Sequence, residues 1–177
     1  EPLDHRGHTI ISWSVTCDTV SRGVDKGTAT MQERIAAMER MQKAGYLVRA
    51  RLSPIVPVKN WREEYAAFLE LLLSRVKPDV ITLELLGWMD VDDLCALMDA
   101  SMLDPAALEA ARKARAELAG VFWGPLTQET HEDVYGFCID TVRRLSPQTA
   151  VAVCHGTPAT WKALGARMRM TPERFIC

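Results

Sequence analysis

Residues Asp79 to Leu86 read DVITLELL, and this stretch decides the predicted fold. Its apolar residues are almost continuous, whereas a strand with one solvated face would alternate strictly between apolar and polar residues. Pro78 stands before it and ends the preceding helical pattern. The stretch therefore predicts a strand that is covered on both faces, which is typical of a parallel sheet in an α/β protein.

Three further strands are predicted on either side of this one. TIISWSVT covers Thr9 to Thr16, YLVRARLSP covers Tyr46 to Pro54, and TAVAVC covers Thr149 to Cys154. Each has the β-branched or aromatic residues that favour strands, and the first two alternate apolar with polar positions.

Helical patterns separate these strands. Two capping boxes, at Thr30 to Glu33 and at Asn60 to Glu63, each predict a helix start. The residues between Asp18 and Thr28 indicate turns. Later in the chain the patterns predict four helices and one weak strand: helices from Val91 to Ala100, Asp104 to Leu118, Thr130 to Leu145 and Pro158 to about Met168, and a strand from Val121 to Trp123.

This order of elements predicts an α/β fold with an open parallel sheet whose helices lie on one face. In such folds the functional groups gather at the carboxyl ends of the strands. Seven residues should be buried in the core: Ile35, Met38, Leu69, Leu72, Ile81, Leu83 and Val151.

The composition indicates one globular domain. The chain has 177 residues, 48% of them hydrophobic and 25% charged, with a net charge of -2. This charge neither requires nor excludes a nucleic-acid partner. No apolar run is long enough to cross a membrane. Five scattered cysteines favour a reducing, cytoplasmic location.

Several residues at the predicted strand ends are candidates for binding. Ser12 and Ser14 share one face of the first strand, where their hydroxyls either meet solvent or face a polar cavity. Arg49 and Arg51 could bind phosphates or pair with carboxylates, and Glu84 is either their partner or the wall of a cofactor cavity. The pair Cys154 and His155, with the distant Cys177, is too sparse to predict a zinc site.

A series of short motifs carries a resemblance to a known family. They are WSVT ending at Thr16, DKGT at Asp25 to Thr28, MQER at Met31 to Arg34, AGY at Ala44 to Tyr46, SPIVP at Ser53 to Pro57, WREEY at Trp61 to Tyr65, and ITLE at Ile81 to Glu84. In this order and spacing the chain from Ser12 to Trp88 resembles the spore photoproduct lyase group of radical S-adenosylmethionine (AdoMet) enzymes.

The resemblance implies a partial (β/α)6 barrel, of which residues 1–177 would be a single partial-barrel domain and a C-terminal fragment. The family binds a [4Fe-4S] cluster through C-x-x-x-C-x-x-C, a motif that this chain lacks. We therefore expect the cluster ligands, and the N-terminal half of the barrel, upstream of this chain. The resemblance further implies that AdoMet contacts Ser14, Ser53, Pro54, Glu84 and Leu85.

Two functions follow as alternatives. The chain would be the cofactor-binding half of a radical AdoMet lyase that generates a 5′-deoxyadenosyl radical and acts in DNA repair. The segment after Cys154 departs from the DNA-holding tail of the lyases. Alternatively, the chain is a cluster-less α/β binding or scaffold module that contacts a partner chain through its open sheet edge. Cys17 could donate a hydrogen atom in the first case, although the position known for that role in the family lies earlier.

Overall fold

A computed structural model describes residue 4 and residues 6–170, and its centre is a four-stranded sheet. The strands are β1 (Ile10–Val15), β2 (Leu47–Ile55), β3 (Val80–Leu85) and β4 (Ala150–Val153). They lie in the order β1-β2-β3-β4, and every neighbouring pair is parallel. The predicted α/β fold with a parallel sheet is therefore confirmed.

Helices connect the strands and follow the last one. They are α1 (Asp18–Gly23), α2 (Met31–Lys43), α3 (Trp61–Arg75), α4 (Val91–Leu97), α5 (Pro105–Lys113), α6 (Arg115–Leu118), α7 (Gln128–Leu145) and α8 (Pro158–Met168), with a 3-10 turn at Ala100–Met102. No helix in residues 6–170 is both long enough and apolar enough to span a membrane.

The hydrophobic core lies between one face of the sheet and the helices. Inward-facing strand residues such as Val48, Ala50 and Leu52 are 0% to 1% exposed and belong to the same cluster as buried helix residues. All seven residues that the sequence predicted to be buried are 0% exposed. Burial of this size is the main favourable contribution to folding.

Local side-chain caps explain several helix starts. At α2 the predicted capping box is present, because Thr30 accepts a hydrogen bond from the Glu33 amide while the Glu33 carboxylate accepts one from the Thr30 amide. The second predicted box is wrong: Asn60 has φ 57° and its side chain caps nothing. The residue has a left-handed backbone just before α3 begins, and Asn tolerates this backbone conformation better than most residues.

The segment from Asp18 to Thr28 was expected to be turns, but it begins with α1. Asp18 and Arg22 form an ion pair one turn apart at 2.7 Å, and Val20 is fully buried. The Thr19 hydroxyl also donates to Glu64 of α3 at 2.7 Å. Tertiary contacts therefore stabilise a helix that is too short to show a periodic pattern in the sequence.

Three other boundaries differ from prediction. The predicted helix from Asp104 to Leu118 is two helices, since Ala114 has ψ 5° between α5 and α6. The helix starting at Val91 ends at Leu97 instead of Ala100, because Asp99 caps a separate 3-10 turn by accepting from the Ser101 amide. Val121 to Trp123 is a turn and not a strand, with a hydrogen bond from the Gly124 amide to the Val121 carbonyl at 2.9 Å.

Candidate functional site

The sheet has a second, polar face opposite the hydrophobic core. Successive side chains of a strand point to opposite faces, so Ser12, Ser14, Arg49, Arg51, Thr82 and Glu84 share one side. Ser14 lies opposite Arg51 in the register of β1 and β2, and Arg51 lies opposite Thr82 in β3. We call these six residues the polar face. Both serines on it are exposed.

Both arginines of the polar face are paired with carboxylates near or on β3. Arg51 Nε donates to Glu84 Oε2 at 2.8 Å, and Arg49 Nη2 donates to Asp79 Oδ2 at 3.1 Å. Such pairing favours the carboxylate-partner interpretation over phosphate binding for these two side chains. The Arg51 and Glu84 side chains are 32% and 18% exposed, so their pair is partly shielded from solvent.

Three potential ligand groups converge where β3 and β4 end. One atom each of Glu84, Cys154 and His155 lies within 4.8 Å of the other two. His155 Nδ1 is 3.8 Å from Glu84 Oε1, which is too long for a hydrogen bond. Arg51 Nη2 lies 3.4 Å from Cys154 Sγ. The carboxylate, thiol, imidazole and guanidinium thus form one cluster at the carboxyl edge of the sheet.

Two exposed aromatic rings border this cluster. Trp88 follows β3 and is 70% exposed, while Phe122 lies in the turn before α7 and is 51% exposed. Both rings contact the His155 ring edge to face, with centroids 5.3 Å and 5.8 Å away. The Trp88 amide donates to the Phe122 carbonyl at 2.9 Å, so the backbone holds the two rings together.

Two buried tyrosines fix the ends of neighbouring strands. The Tyr135 hydroxyl accepts from the Leu85 amide at 3.0 Å and donates to the Cys154 carbonyl at 3.1 Å, which bridges β3 and β4. The Tyr65 hydroxyl accepts from the Val56 amide at 2.9 Å just after β2. Burial raises the pKa of both phenols, so each hydroxyl keeps its proton and acts as a neutral bridge.

The residues that the resemblance implicates in cofactor binding lie in different environments. Ser14 and Glu84 are both on the polar face, where Arg51 lies opposite Ser14 in register and donates a hydrogen bond to Glu84. Ser53 and Pro54 are half-buried, form a cis peptide bond, and offer a carbonyl that already accepts from Thr16 Oγ1 at 2.9 Å. The Leu85 side chain is 2% exposed and belongs to the hydrophobic core, while its amide contacts Tyr135.

Two of the cysteines lie in the hydrophobic core. Cys17 and Cys138 are both 0% exposed. Burial raises the pKa of the Cys17 thiol and raises that of Cys138 to about 12, so both are protonated and shielded from solvent. This position gives no support to Cys17 as a hydrogen-atom donor to a substrate on the polar face.

Sequence reasoning assigned no role to the aromatic rings of Trp88 and Phe122. Trp88 and His155 each follow the end of a parallel strand, and that position was the available signal. Both have a left-handed backbone, with φ 66° and 56°. Phe122 gave no comparable signal, because it lies in a turn between α6 and α7 that is distant in sequence from β3 and β4.

Comparison with known proteins bears on the first half of the chain. A family model described as spore photoproduct lyase matches residues 2–88, which include β1, β2 and β3. This part of the chain is spore photoproduct lyase-like. It is 33% identical over 85 residues to spore photoproduct lyase of Bacillus subtilis strain 168, and 21% identical over 85 residues to that of Clostridium acetobutylicum.

Those alignments cover 46% and 48% of this chain and 25% of each spore photoproduct lyase. The chain therefore spans about a quarter of the length of the curated relatives it matches.

The likeness in fold extends further along the chain. Spore photoproduct lyase complexed with dinucleoside spore photoproduct superposes with a TM-score of 0.64 at 17% identity, over 85% of this chain and 46% of that one. A double mutant of spore photoproduct lyase with bound AdoMet and dinucleoside spore photoproduct gives 0.64 at 16% identity, over 84% and 45%. The four-stranded parallel sheet and its helices therefore share the fold of about half of the spore photoproduct lyase barrel, which confirms the predicted partial barrel.

Proposed function

We propose that this chain is the AdoMet-binding part of a radical AdoMet enzyme related to the spore photoproduct lyases. The observation that carries the proposal is that the residues matched by the family model include all six residues of the polar face. The matched residues 2–88 contain the three strands that bear Ser14, Arg51 and Glu84, with Ser14 and Glu84 next to the carboxyl ends of β1 and β3. The other half of the barrel would come from a part of the protein outside this chain.

The described residues do not fit a [4Fe-4S] cluster. Such a cluster in this family needs three converging thiolates, and the one grouping of potential ligands found among residues 6–170 contains a single cysteine. Cys17 and Cys138 are sequestered in the core, and Cys95 lies on α4. The proposal therefore assigns the cluster ligands to residues outside the described part of the chain.

The polar face does fit AdoMet chemically. The cofactor presents an ammonium group, a carboxylate, ribose hydroxyls and an adenine ring. A short hydroxyl at Ser14, a guanidinium at Arg51 and a carboxylate at Glu84 offer complementary donors and acceptors. The cofactor supplies a 5′-deoxyadenosyl radical to such enzymes, whereas this chain's residues would bind and orient the cofactor. Ser53, Pro54 and Leu85 remain backbone-contact candidates in this proposal.

For the substrate we propose DNA. The support is the likeness to enzymes whose solved structures hold dinucleoside spore photoproduct. Exposed aromatic rings stack on nucleobases in many complexes, and Trp88 and Phe122 provide two such rings beside the polar face. An enzyme of this kind would act in the cytoplasm, where cysteine thiols remain reduced.

The test uses the complete gene product that contains this chain, reconstituted anaerobically with iron and sulfide. With AdoMet and a reductant we expect 5′-deoxyadenosine, measured by liquid chromatography, and more of it when DNA carrying the thymine photoproduct is added. A protein that carries a full cluster but forms no 5′-deoxyadenosine would refute the radical AdoMet proposal. If 5′-deoxyadenosine forms but damaged DNA does not increase its amount, only the proposed substrate would be refuted.

The second candidate function is a cluster-less binding module. It is favoured by β1, which is an edge strand of the described sheet, and by Ile10 and Leu47, which pair across β1 and β2 and are 43% and 50% exposed. In this case the complete gene product would bind no iron after reconstitution, and light scattering would find it in a stable complex with a partner chain or a second copy.

A further inference from the structure

The cluster at the carboxyl edge of β3 and β4 has the donor chemistry of a transition-metal site. It combines a carboxylate from Glu84, a thiol from Cys154 and an imidazole from His155, whose ligand atoms lie within 4.8 Å of one another. Sulfur and nitrogen ligands favour zinc over magnesium or calcium, which prefer oxygen alone. We propose that these three side chains bind one divalent transition-metal ion, and that Zn²⁺ is the ion best suited to them.

A second observation points to a missing ligand at the same place. His155 Nδ1 is shielded from solvent, and no hydrogen-bond partner for it occurs among the residues that the structure describes. The atom lies 3.8 Å from Glu84 Oε1, so the two atoms face each other at a separation beyond hydrogen-bond distance. A buried polar atom of this kind costs free energy unless something binds it. A cation between the two atoms would satisfy both.

The geometry requires only small side-chain movements. Bonds of about 2.0 Å from Zn²⁺ to nitrogen or oxygen, and about 2.3 Å to sulfur, place tetrahedral ligand atoms roughly 3.3 to 3.6 Å apart. The observed separation of Nδ1 and Oε1 is already 3.8 Å, and the limit for the whole group is 4.8 Å. Side-chain rotation covers a difference of this size. Three protein ligands leave the fourth position of zinc open for a solvent molecule or another ligand.

Arg51 orients the carboxylate without occupying the proposed ligand atom. Its Nε donates to Glu84 Oε2 at 2.8 Å, so Oε1 is the oxygen that faces His155. Hydrogen bonds to the second oxygen of a ligating carboxylate are typical of metal sites. The guanidinium also adds one positive charge 3.4 Å from Cys154 Sγ. On metal binding the Cys154 thiol would lose its proton to solvent, and the resulting thiolate and carboxylate together outweigh the charge of Arg51.

The surroundings limit access of water to the site. Cys154 is 8% exposed, the Glu84 and His155 side chains are each 18% exposed, and the rings of Trp88 and Phe122 pack against the His155 ring. The proposal does not rest on the proposed function, although Glu84 belongs to both. Metal binding must therefore be measured without AdoMet.

The experiment titrates Co²⁺ into the complete gene product after metal removal by a chelator and without cluster reconstitution. Cobalt bound to a thiolate gives a sulfur-to-metal charge-transfer band in the near ultraviolet. The readout is the amount of Co²⁺ bound per protein at the thiolate band by wild type, minus the amount bound by Cys154→Ser. The subtraction removes contributions from cysteines elsewhere in the protein. We expect a difference of one equivalent of Co²⁺, and we expect Zn²⁺ to displace it.

Two further variants test the other two proposed ligands. Glu84→Gln and His155→Gln preserve side-chain size, and each should weaken Co²⁺ binding at the thiolate band by at least about tenfold. Cys95→Ser is the matched control, because Cys95 lies on α4 beside Arg112 and outside the cluster, and it should leave the band unchanged. The proposal would be overturned if wild type and all three cluster variants bound Co²⁺ equally while each variant kept a wild-type circular dichroism spectrum. It would also be overturned if wild type showed no thiolate band.

Discussion

Arg51 and Glu84 are joined by a hydrogen bond of 2.8 Å from Nε to Oε2, which links β2 to β3 across the polar face. The two side chains are 32% and 18% exposed, so they are partly removed from water. A charged group that loses its partner in such an environment keeps its desolvation cost. The pair is therefore expected to matter for stability as well as for the site.

We expect Arg51→Met to lower the free energy of unfolding by about 1 to 3 kcal/mol, because Glu84 would remain partly buried without its donor. Urea titration of the complete gene product measures this loss. Lys113→Met is the control: its ion pair with Glu109 is highly exposed, and such pairs contribute about 0 to 1 kcal/mol. If Arg51→Met and Lys113→Met cost the same, the Arg51 pair has no special structural role.

Tyr135→Phe tests the bridge between β3 and β4. The substitution removes the hydroxyl that contacts the Leu85 amide and the Cys154 carbonyl, and leaves both backbone groups buried. We expect a loss of about 1 to 3 kcal/mol in the free energy of unfolding, measured by denaturant titration. Ser74→Ala removes an exposed hydroxyl that bonds within its own helix and should change stability by about 0.5 kcal/mol or less. A Tyr135→Phe protein as stable as wild type would contradict the bridge.

His131 predicts a dependence of stability on pH. Its side chain lies on α7 and is 3% exposed, and burial lowers its pKa from 6.5 to about 4. Between these two values the unfolded chain binds a proton that the folded chain does not. The contribution of His131 is therefore fully present above about pH 6.5 and is lost as the pH falls to about 4, by at most about 3 kcal/mol.

The measurement compares urea unfolding of wild type and His131→Gln at several pH values between 4 and 7. The variant cannot take up a proton at this position, so its stability should fall less steeply toward acid than that of wild type. His8→Gln changes an exposed histidine and should keep the wild-type slope. Parallel stability curves for wild type and His131→Gln would show that burial of this imidazole is not linked to folding.

The sheet was predictable because its signal is local. The nearly continuous apolar run of DVITLELL and the capping box at Thr30 each specify an element within a few residues, and both are present in the structure. The short helix α1 was not predictable, since its burial of Val20 and its contact with Glu64 depend on distant segments. Periodicity reports only the faces that a single element buries.

The candidate site was predictable in part for the same reason. The positions of Ser14, Arg51 and Glu84 on one face follow from strand alternation and parallel pairing. The meeting of Glu84 with His155 does not, because it depends on the register between β3 and β4 and on a left-handed residue at position 155. Glu84 and His155 are far apart in the sequence and meet only because the chain between β3 and β4 returns to the same edge of the sheet. Ligand spacing within a short stretch of sequence therefore could not predict this cluster.

Ser14→Ala tests whether the polar face binds AdoMet. The Ser14 side chain is exposed at the end of β1 and lies opposite Arg51 in register. If its hydroxyl contacts the cofactor, its removal should weaken binding by the contribution of one hydrogen bond, about 0.5 to 1.5 kcal/mol and thus up to roughly tenfold in affinity. Calorimetric titration of the cluster-loaded complete gene product with AdoMet measures this change.

Ser12→Ala is the matched control for Ser14→Ala, because Ser12 is also exposed on the polar face but lies one pleat further from the carboxyl end, opposite Arg49. Its effect on AdoMet affinity should be smaller, since cofactors in parallel folds bind beyond the carboxyl ends of strands. Neither substitution removes a possible iron ligand, so the cluster content of both variants should match wild type. Equal AdoMet affinities for wild type and Ser14→Ala, at equal cluster content, would mean that this hydroxyl faces solvent and that the cofactor is held elsewhere.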